Sequence, residues 1–349
     1  MKSLYNYTLT ELQEEMIGLN QKPFRGTQIF SWLYQKRVNN IDDMSDISLS
    51  FRDILKENYM ISLPNVIKEQ VSYDGTVKML LELEDKTSVE TVLMRYDYGN
   101  AICVSSQVGC NMGCKFCASG LMKKQRDLLA SEMIMQVMKM QEYLDKEGKG
   151  ERVSHIVIMG SGEPFDNYDN VMRFIRIAND QKGLAIGARH ITVSTSGIAP
   201  KIVEYSKEGL QVNLAISLHA SNDETRNKLM PINKAYSLTK LFDAIKQYSI
   251  NADRRVTIEY ILLKGINDSL ENADELVELL KGTFAYVNLI PYNEVEENEF
   301  KRSEKQSVRA FYERLKSKGV NVTIRKEFGT DIDAACGQLR AKKEGVLND

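Results

Sequence analysis

Three of the chain's five cysteines fall within eight residues, Cys110-Asn-Met-Gly-Cys114-Lys-Phe-Cys117. With three and then two residues between them, one tight loop can aim three thiolates at one place, the ligation pattern of an iron–sulfur cluster. Gly109, Asn111 and Gly113 supply the backbone freedom that such a loop needs. Three protein ligands would leave a fourth iron open, and an open metal position is where a substrate or cofactor binds, as at catalytic zinc sites. A zinc ion completed by Cys336 or Cys103 is an alternative reading of the same thiols. A simple electron carrier is another, although it would want a fourth cysteine at regular spacing.

The other residues with chemical potential sit in short polar runs. Gly160-Ser161-Gly162-Glu163-Pro164 lets a backbone approach a ligand closely and offers a carboxylate that can receive an ammonium group; a plain glycine-rich turn is the alternative. Ser194, the run Ser217-Leu218-His219, and Asn293 carry hydrogen-bonding groups, each of which could equally satisfy local backbone. Cys336 lies in Asp331-Ile-Asp-Ala-Ala-Cys-Gly-Gln-Leu339, whose small and acidic residues suit a reactive thiol better than a core one. His155 and His190 stand at strand starts and read as structural. No Ser-His-Asp arrangement and no Walker-type loop is present, so hydrolase and nucleotidase readings drop out.

The elements that must position these groups follow from periodicity. From about residue 100 strands and helices alternate. The strands are expected at Ala101 to Ser105, Val153 to Met159, His190 to Ser194, Val212 to Leu218, Val256 to Leu263, Val287 to Ile290 and Val320 to Arg325. Six βα units and a last strand argue for an α/β fold, a parallel sheet curled into a partial (β/α)6 barrel. In such folds the active site gathers at the C-terminal strand ends. The cysteine loop and the four polar runs all fall there.

Residues 61–98 switch to period two: a hairpin about Asp74-Gly75 and a third strand carrying Glu90, by default a solvent-facing strand residue. Residues 1–60 read as helical, with Thr10 as a cap and Pro23 at a helix start. Lys22, Arg25, Lys36, Arg37 and Arg52 are interspersed with aromatic residues, as on a surface that grips phosphates and stacks bases; a packing domain with a solvated charged face fits equally. The chain is therefore divided into a helical RNA-binding accessory domain (1–60), a small β linker (61–98), and the barrel with its Cys336 segment (99–349).

A formal net charge of -2 gives no global attraction to nucleic acid, so any RNA-binding surface must be local. Nothing in the sequence approaches a membrane span or a signal peptide, and thiols without a disulfide framework fit a reducing, cytosolic compartment.

The cysteine spacing resembles that of the radical S-adenosylmethionine superfamily, which implies a [4Fe–4S] cluster on Cys110, Cys114 and Cys117 and S-adenosylmethionine on the open iron. On that resemblance Gly162, Glu163, Ser194, Ser217, Leu218, His219 and Asn293 are the cofactor-binding set. The resemblance narrows with Cys103-Val-Ser-Ser-Gln-Val-Gly-Cys110, Ser217-Leu-His-Ala, Leu229-Met-Pro-Ile-Asn233, Asn288-Leu-Ile-Pro-Tyr-Asn293 and the Cys336 segment. Together, and over nearly the whole chain from Phe24-Arg25 to Leu339, these are similar to the RlmN/Cfr family of RNA adenine methyltransferases.

That family implies a mechanism with two S-adenosylmethionine molecules per turnover. Cys336 is methylated, its methyl carbon is transferred to an adenine ring carbon, Cys103 resolves the covalent adduct through a transient disulfide, and Glu90 accepts the proton. It also implies 23S ribosomal RNA as substrate with transfer RNA as a second candidate, an electron donor such as flavodoxin or ferredoxin, and a monomer. Glu163-Pro164 points to the branch that methylates C2; the branch that methylates C8 often has alanine there and is the alternative. Ser161, where methionine is common, and the stretch 121–129 depart from the family pattern. Lys123, Lys124 and Arg126 in that stretch still offer phosphate contacts.

Overall fold

The computed structural model of the chain describes residues 1–294, 299–333 and 338–345. A ten-stranded sheet organises them. In chain order its strands are β1 (Asn65–Val71), β2 (Val77–Glu82), β3 (Ser88–Tyr96), β4 (Gly99–Cys103), β5 (Val153–Ile158), β6 (Ile191–Thr195), β7 (Asn213–Ser217), β8 (Val256–Leu262), β9 (Ala285–Pro291) and β10 (Val322–Ile324). Their order across the sheet is their order in the sequence. Neighbours from β4 to β10 are parallel, and those from β1 to β4 are antiparallel.

Because the parallel order never reverses, right-handed crossovers place all their helices on one face. Those helices include Ala130–Glu147, Tyr168–Asn179, Leu238–Ala252, Leu270–Leu280 and Lys305–Ser317. Strand alternation then separates two environments. Ile102, Ile156, Val193, Leu214, Ile216, Ile258, Leu262, Val287 and Leu289 point to the helices and join the main core. Each such fully buried side chain contributes roughly 1.5–3 kcal/mol. The intervening positions, among them Cys103, Ser194, Ser217 and Glu259, line a cavity on the other face.

The expected strands of the parallel part are all present, with ends displaced by three residues or fewer. Two expectations change. The hairpin strands do not form a sheet of their own: β3 pairs with β4, so residues 65–96 extend the barrel sheet. The hairpin turn is also wider than two residues, because side chains claim the backbone. Thr76 N–H donates to Asp74 Oδ1 at 2.9 Å and Asp74 N–H to Ser72 Oγ at 3.3 Å.

At the N-terminus the helices Leu9–Gly18, Phe24–Tyr34 and Leu49–Asn58 pack together. The first is capped by Thr8, two residues before the Thr10 expected. Glu11 accepts Thr8 N–H at 2.9 Å, and a carboxylate in a first helical turn adds a dipole contribution. Of the five basic residues singled out, Arg25 lies over the Phe24 ring and Lys36 over the Trp32 ring. Arg37 instead pairs with Asp145, and Arg52 donates to the carbonyls of Ile47 and Asp42. Among the described residues no helix is long and apolar enough to cross a membrane.

Candidate active site

The cysteine loop leaves β4 through Gln107–Val108, which pairs with Arg126–Asp127 and so ties off the loop between them. Gly109 has φ +82°, and a Cβ there would sit 2.1 Å from the Lys123 carbonyl oxygen, so no other residue fits. Cys110 N–H donates to Met122 O at 3.0 Å, Cys117 N–H to Cys114 O at 3.2 Å, and Lys115 N–H to Leu229 O at 2.9 Å. All three thiols line one cavity of about 340 Å³ at the C-terminal ends of the parallel strands.

Without a metal, burial keeps Cys110 and Cys114 as neutral thiols. Burial pushes the Cys110 thiol up to about 12, and pushes Cys114 well above its ordinary value with Cys117 and Cys110 adding to the rise. A multivalent cationic centre reverses this by favouring the thiolates. Among the described residues no three Cys, His, Asp or Glu side chains converge tightly enough for a single metal ion. Three thiols lining one cavity are a donor set that fits a cluster with one iron left open.

The neighbouring wall is built for close approach. Gly162 has φ +111°, and a Cβ would meet Gln107 N at 2.7 Å; at Gly160 it would meet Ser105 N at 2.7 Å. Glu163 is buried at the cavity; its carboxylate accepts Phe165 N–H at 3.0 Å and Ser196 N–H at 2.7 Å. Burial raises its pKa, opposed by those backbone bonds. Two N–H donors still leave the carboxylate capacity for a cationic ligand. Ser194 and Ser217 face each other at 3.5 Å between hydroxyl oxygens on adjacent strands. Ser119 lines the same cavity, and its buried hydroxyl has no hydrogen-bond partner among the described residues.

His219 is held in an unusual state. Its φ is +58°, its Nδ1 accepts Ile261 N–H at 3.1 Å, and Phe116 packs edge-on against its ring. Burial, with Arg226 nearby, lowers its pKa to about 3. The imidazole is therefore neutral with its proton on Nε2, a fixed donor.

The structure brings together Cys110, Cys114, Cys117, Cys103, Gly162, Glu163, Ser194, Ser217, His219 and Asn293 on that single cavity. Leu218 does not join them. Strand alternation turns its side chain into the main core between Ser217 and His219, its N–H donates to Glu259 O, and its carbonyl accepts from Arg226 Nε. Cys103 is 7 % exposed, at the end of β4. His155 and His190 stack on each other at 4.3 Å, outside the cavity lining.

Glu90 is not a solvent-facing strand residue. It is 5 % exposed, forms an ion pair with Lys78 Nζ at 3.0 Å, and accepts Arg340 N–H at 2.6 Å. Cys336 lies outside the described residues, but both of its flanks are anchored near Glu90 and the cavity. Ile332 lines the cavity, Asp333 accepts from Gln70 and pairs with Lys342, and the helix Gln338–Lys343 packs on the turn Ala118–Leu121 that follows Cys117. Two of the expected phosphate contacts are otherwise engaged: Lys124 pairs with Asp127 and Asp166, and Arg126 with Asp85 and Glu132. Ser161 is buried behind the glycine turn, not in the cavity lining.

Sequence reasoning missed Lys78, Glu259 and Arg226. Lys78 and Glu259 each sit on a strand at a position facing the cavity, a signal visible only once register is known. Arg226 sits in a short helix, Asp223–Leu229, and is fully buried.

Comparison with known proteins agrees with this geometry. The model of the radical SAM superfamily matches residues 104–280, and that of a ribosomal RNA large subunit methyltransferase N-terminal domain matches residues 2–61. A probable dual-specificity RNA methyltransferase RlmN of Enterococcus faecalis is 55% identical, covering 99% of this chain and 99% of its own length. One from Streptococcus agalactiae is 56% identical over 97% of this chain and 93% of its own. A radical SAM methyltransferase from Sphaerobacter thermophilus has a TM-score of 0.92 at 40% identity, covering 97% of this chain and 99% of that one.

Proposed function

The chain belongs to the RlmN family of dual-specificity RNA methyltransferases, within the radical S-adenosylmethionine superfamily, and we propose that it methylates C2 of a specific adenine in 23S ribosomal RNA, with transfer RNA as a second substrate. The observation that carries this reading is one cavity that joins the three thiols of the cysteine loop to Cys103, with the flanks of Cys336 anchored beside it. A [4Fe–4S] cluster and S-adenosylmethionine supply, when bound, a carbon radical able to take hydrogen from an unreactive C–H bond.

The chain's own residues do the rest. Cys110, Cys114 and Cys117 hold the cluster. Glu163 and the close-packed backbone at Gly162 receive the charged end of the cofactor, while Ser194, Ser217, His219 and Asn293 hydrogen-bond its remainder. Cys336 accepts a methyl group on sulfur by nucleophilic displacement, which requires its thiolate. A methyl cation cannot be delivered by displacement to the electrophilic amidine carbon of adenine, but a carbon radical held on Cys336 can add there. As the adduct returns one electron to the one-electron couple that supplied it, Glu90 takes the proton that the adenine carbon gives up. Cys103 then attacks the Cys336 sulfur, the sulfur–carbon bond breaks, the freed carbon takes up a proton to become the methyl group, and a disulfide is left between the two cysteines.

The N-terminal helices, with Arg25 on Phe24 and Lys36 on Trp32, serve as the RNA-gripping unit. A flavodoxin or ferredoxin as one-electron donor, a monomeric state and a cytosolic location complete the reading. The test is nucleoside mass analysis of ribosomal RNA incubated anaerobically with reconstituted enzyme, reductant and cofactor. The expected product is 2-methyladenosine, absent with Cys336→Ala, and Cys103→Ala should trap a covalent enzyme–RNA adduct. 8-Methyladenosine without 2-methyladenosine would overturn the assignment.

A further inference from the structure

Lys78 has no exposed surface, yet it stands in the wall of the active-site cavity. A lysine ammonium taken out of water is costly unless charged or polar partners surround it. Two of the partners of Lys78 are of unlike kinds: the Glu90 carboxylate at 3.0 Å and the main-chain carbonyl of Asp333 at 2.5 Å. The first belongs to the neighbouring strand, and the second to the segment leading into Cys336. Sheet register adds a third relation. Lys78 on β2 is paired with Val92 on β3, and Val92 with Cys103 on β4, so Lys78 and Cys103 occupy one row of the cavity face, about 10 Å apart at the backbone.

We infer that Lys78 is a positioning residue for methyl transfer, its ammonium group fixing the Glu90 carboxylate and, through Asp333, the chain that carries Cys336. This rests on the activity proposed above and deepens it. Glu90 can accept a proton only if it is ionised beforehand, and a buried carboxylate without a cationic partner takes up a proton instead. Among the described residues Lys78 is the side-chain cation paired with Glu90, while Arg325 and Lys326 line the same cavity. Arg340 offers Glu90 its backbone N–H while its guanidinium is turned to Glu344. Lys342 is paired with the Asp333 carboxylate. Cys103, two rungs away in the same row, is a thiol and brings no positive charge. One ammonium thus couples the ionisation of the base to the seating of the methyl carrier.

The test compares wild type, Lys78→Met and Lys78→Arg as full-length protein. In cofactor-free protein, deuterium exchange of residues 338–345 should quicken in Lys78→Met and return toward wild type in Lys78→Arg. In reconstituted enzyme, Lys78→Met should lose at least about 100-fold in adenine methylation at neutral pH, the scale of a positioned proton acceptor. The acidic limb of its rate profile should rise by about 1–3 pH units, the scale of one removed opposite charge. Covalent enzyme–RNA adduct should accumulate while methylation of Cys336, read by mass of its peptide, continues; Lys78→Arg should restore most of the rate. A slower Lys78→Met with an unmoved acidic limb and no adduct would reduce Lys78 to a packing role and overturn the inference, as would unchanged exchange. Lys78→Gln, which keeps a donor, takes the place of Lys78→Met if the latter does not fold. If wild type yields no methylated adenine, the activity reading falls, while the exchange arm still decides whether Lys78 seats the segment.

Discussion

Arg226→Lys should damage the cofactor site while removing no residue of the cavity lining. The guanidinium is fully buried and donates four hydrogen bonds: to Ser196 O at 2.7 Å, Asn233 Oδ1 at 2.8 Å, Leu218 O at 3.1 Å and Ser217 O at 3.2 Å. Those acceptors belong to the loop after β6, the end of β7 with the residue that follows it, and the turn Pro231–Lys234, so one side chain sets their separation. An ammonium is a point donor and cannot span acceptors that a planar fork reaches. If lysine serves two of the four, two buried acceptors are left unmet at about 1–3 kcal/mol each, a loss of roughly 2–6 kcal/mol. The arginine remains charged at neutral pH, since burial lowers its pKa only to about 10. Thermal scans of cluster-free protein should show a fall of several degrees, at roughly 2–4 °C per kcal/mol for a chain of this order of size. Calorimetric titration with S-adenosylhomocysteine should show binding at least about tenfold weaker, the equivalent of 1.4 kcal/mol from displaced Ser194, Ser217 and His219. A variant that melts within a degree of wild type and binds with unchanged affinity would refute the reasoning, because the loops would then hold their places without the fork.

Gly162→Ala should fail in a different way: the added methyl would meet Gln107 N at 2.7 Å, and φ +111° is barred to alanine. We expect a loss of about 2–4 kcal/mol in stability, measured by urea unfolding of cluster-free protein, and loss of S-adenosylhomocysteine binding at sites that still fold. His219 predicts a pH dependence with a definite sign. Its folded pKa near 3 lies below the usual value near 6.5, so between those limits the unfolded chain binds a proton that the native chain refuses. Stability from this residue is complete above pH 6.5 and is lost as pH falls toward 3, by on the order of 3–5 kcal/mol. His219→Asn, which tolerates the left-handed backbone, should flatten that part of the stability profile.

Much of the barrel was legible because its information is local. Apolar runs, caps and turn residues mark each strand and helix, and the rule that active sites gather at C-terminal strand ends converts strand positions into a site. That is why the loops bearing Glu163, Ser194, Ser217, His219 and Asn293 are expected on one face from the sequence, and they line one cavity; Cys103, singled out by the family resemblance, lines it too. Leu218 was drawn in with its neighbours because a three-residue run hides alternation. Register shows that its side chain belongs to the core. Glu90 and Lys78 were illegible for a related reason. A charged residue in an outlying strand reads as exposed, and only the pairing of β3 with β4 and the return of Asp333 and Arg340 reveal what covers it. Lys124 and Arg126 show the converse, since the carboxylates that engage them are as distant in sequence as Asp166 and Asp85.

The antiparallel strands therefore have a functional reason to be part of the barrel sheet. A separate β linker would leave β4 as an edge, and Cys103 on that edge would face water. With β1 to β3 added, the wall beside Cys103 continues through Val92 to Lys78. On that extension the far end of the chain is received: Asp331 accepts from Ser72 and Tyr73 N–H, Gly329 N–H donates to Asp74, and Arg340 N–H donates to Glu90. Sequence separations of about 250 residues are thus closed by side chains of one hairpin and the strand beside it. On the function proposed above, in which Cys336 carries the methyl group, such a dock restricts the alternatives of a tethered group, which is how tethering gains rate. On that reading the cysteine loop supplies the radical chemistry, and the added strands hold both flanks of the Cys336 segment.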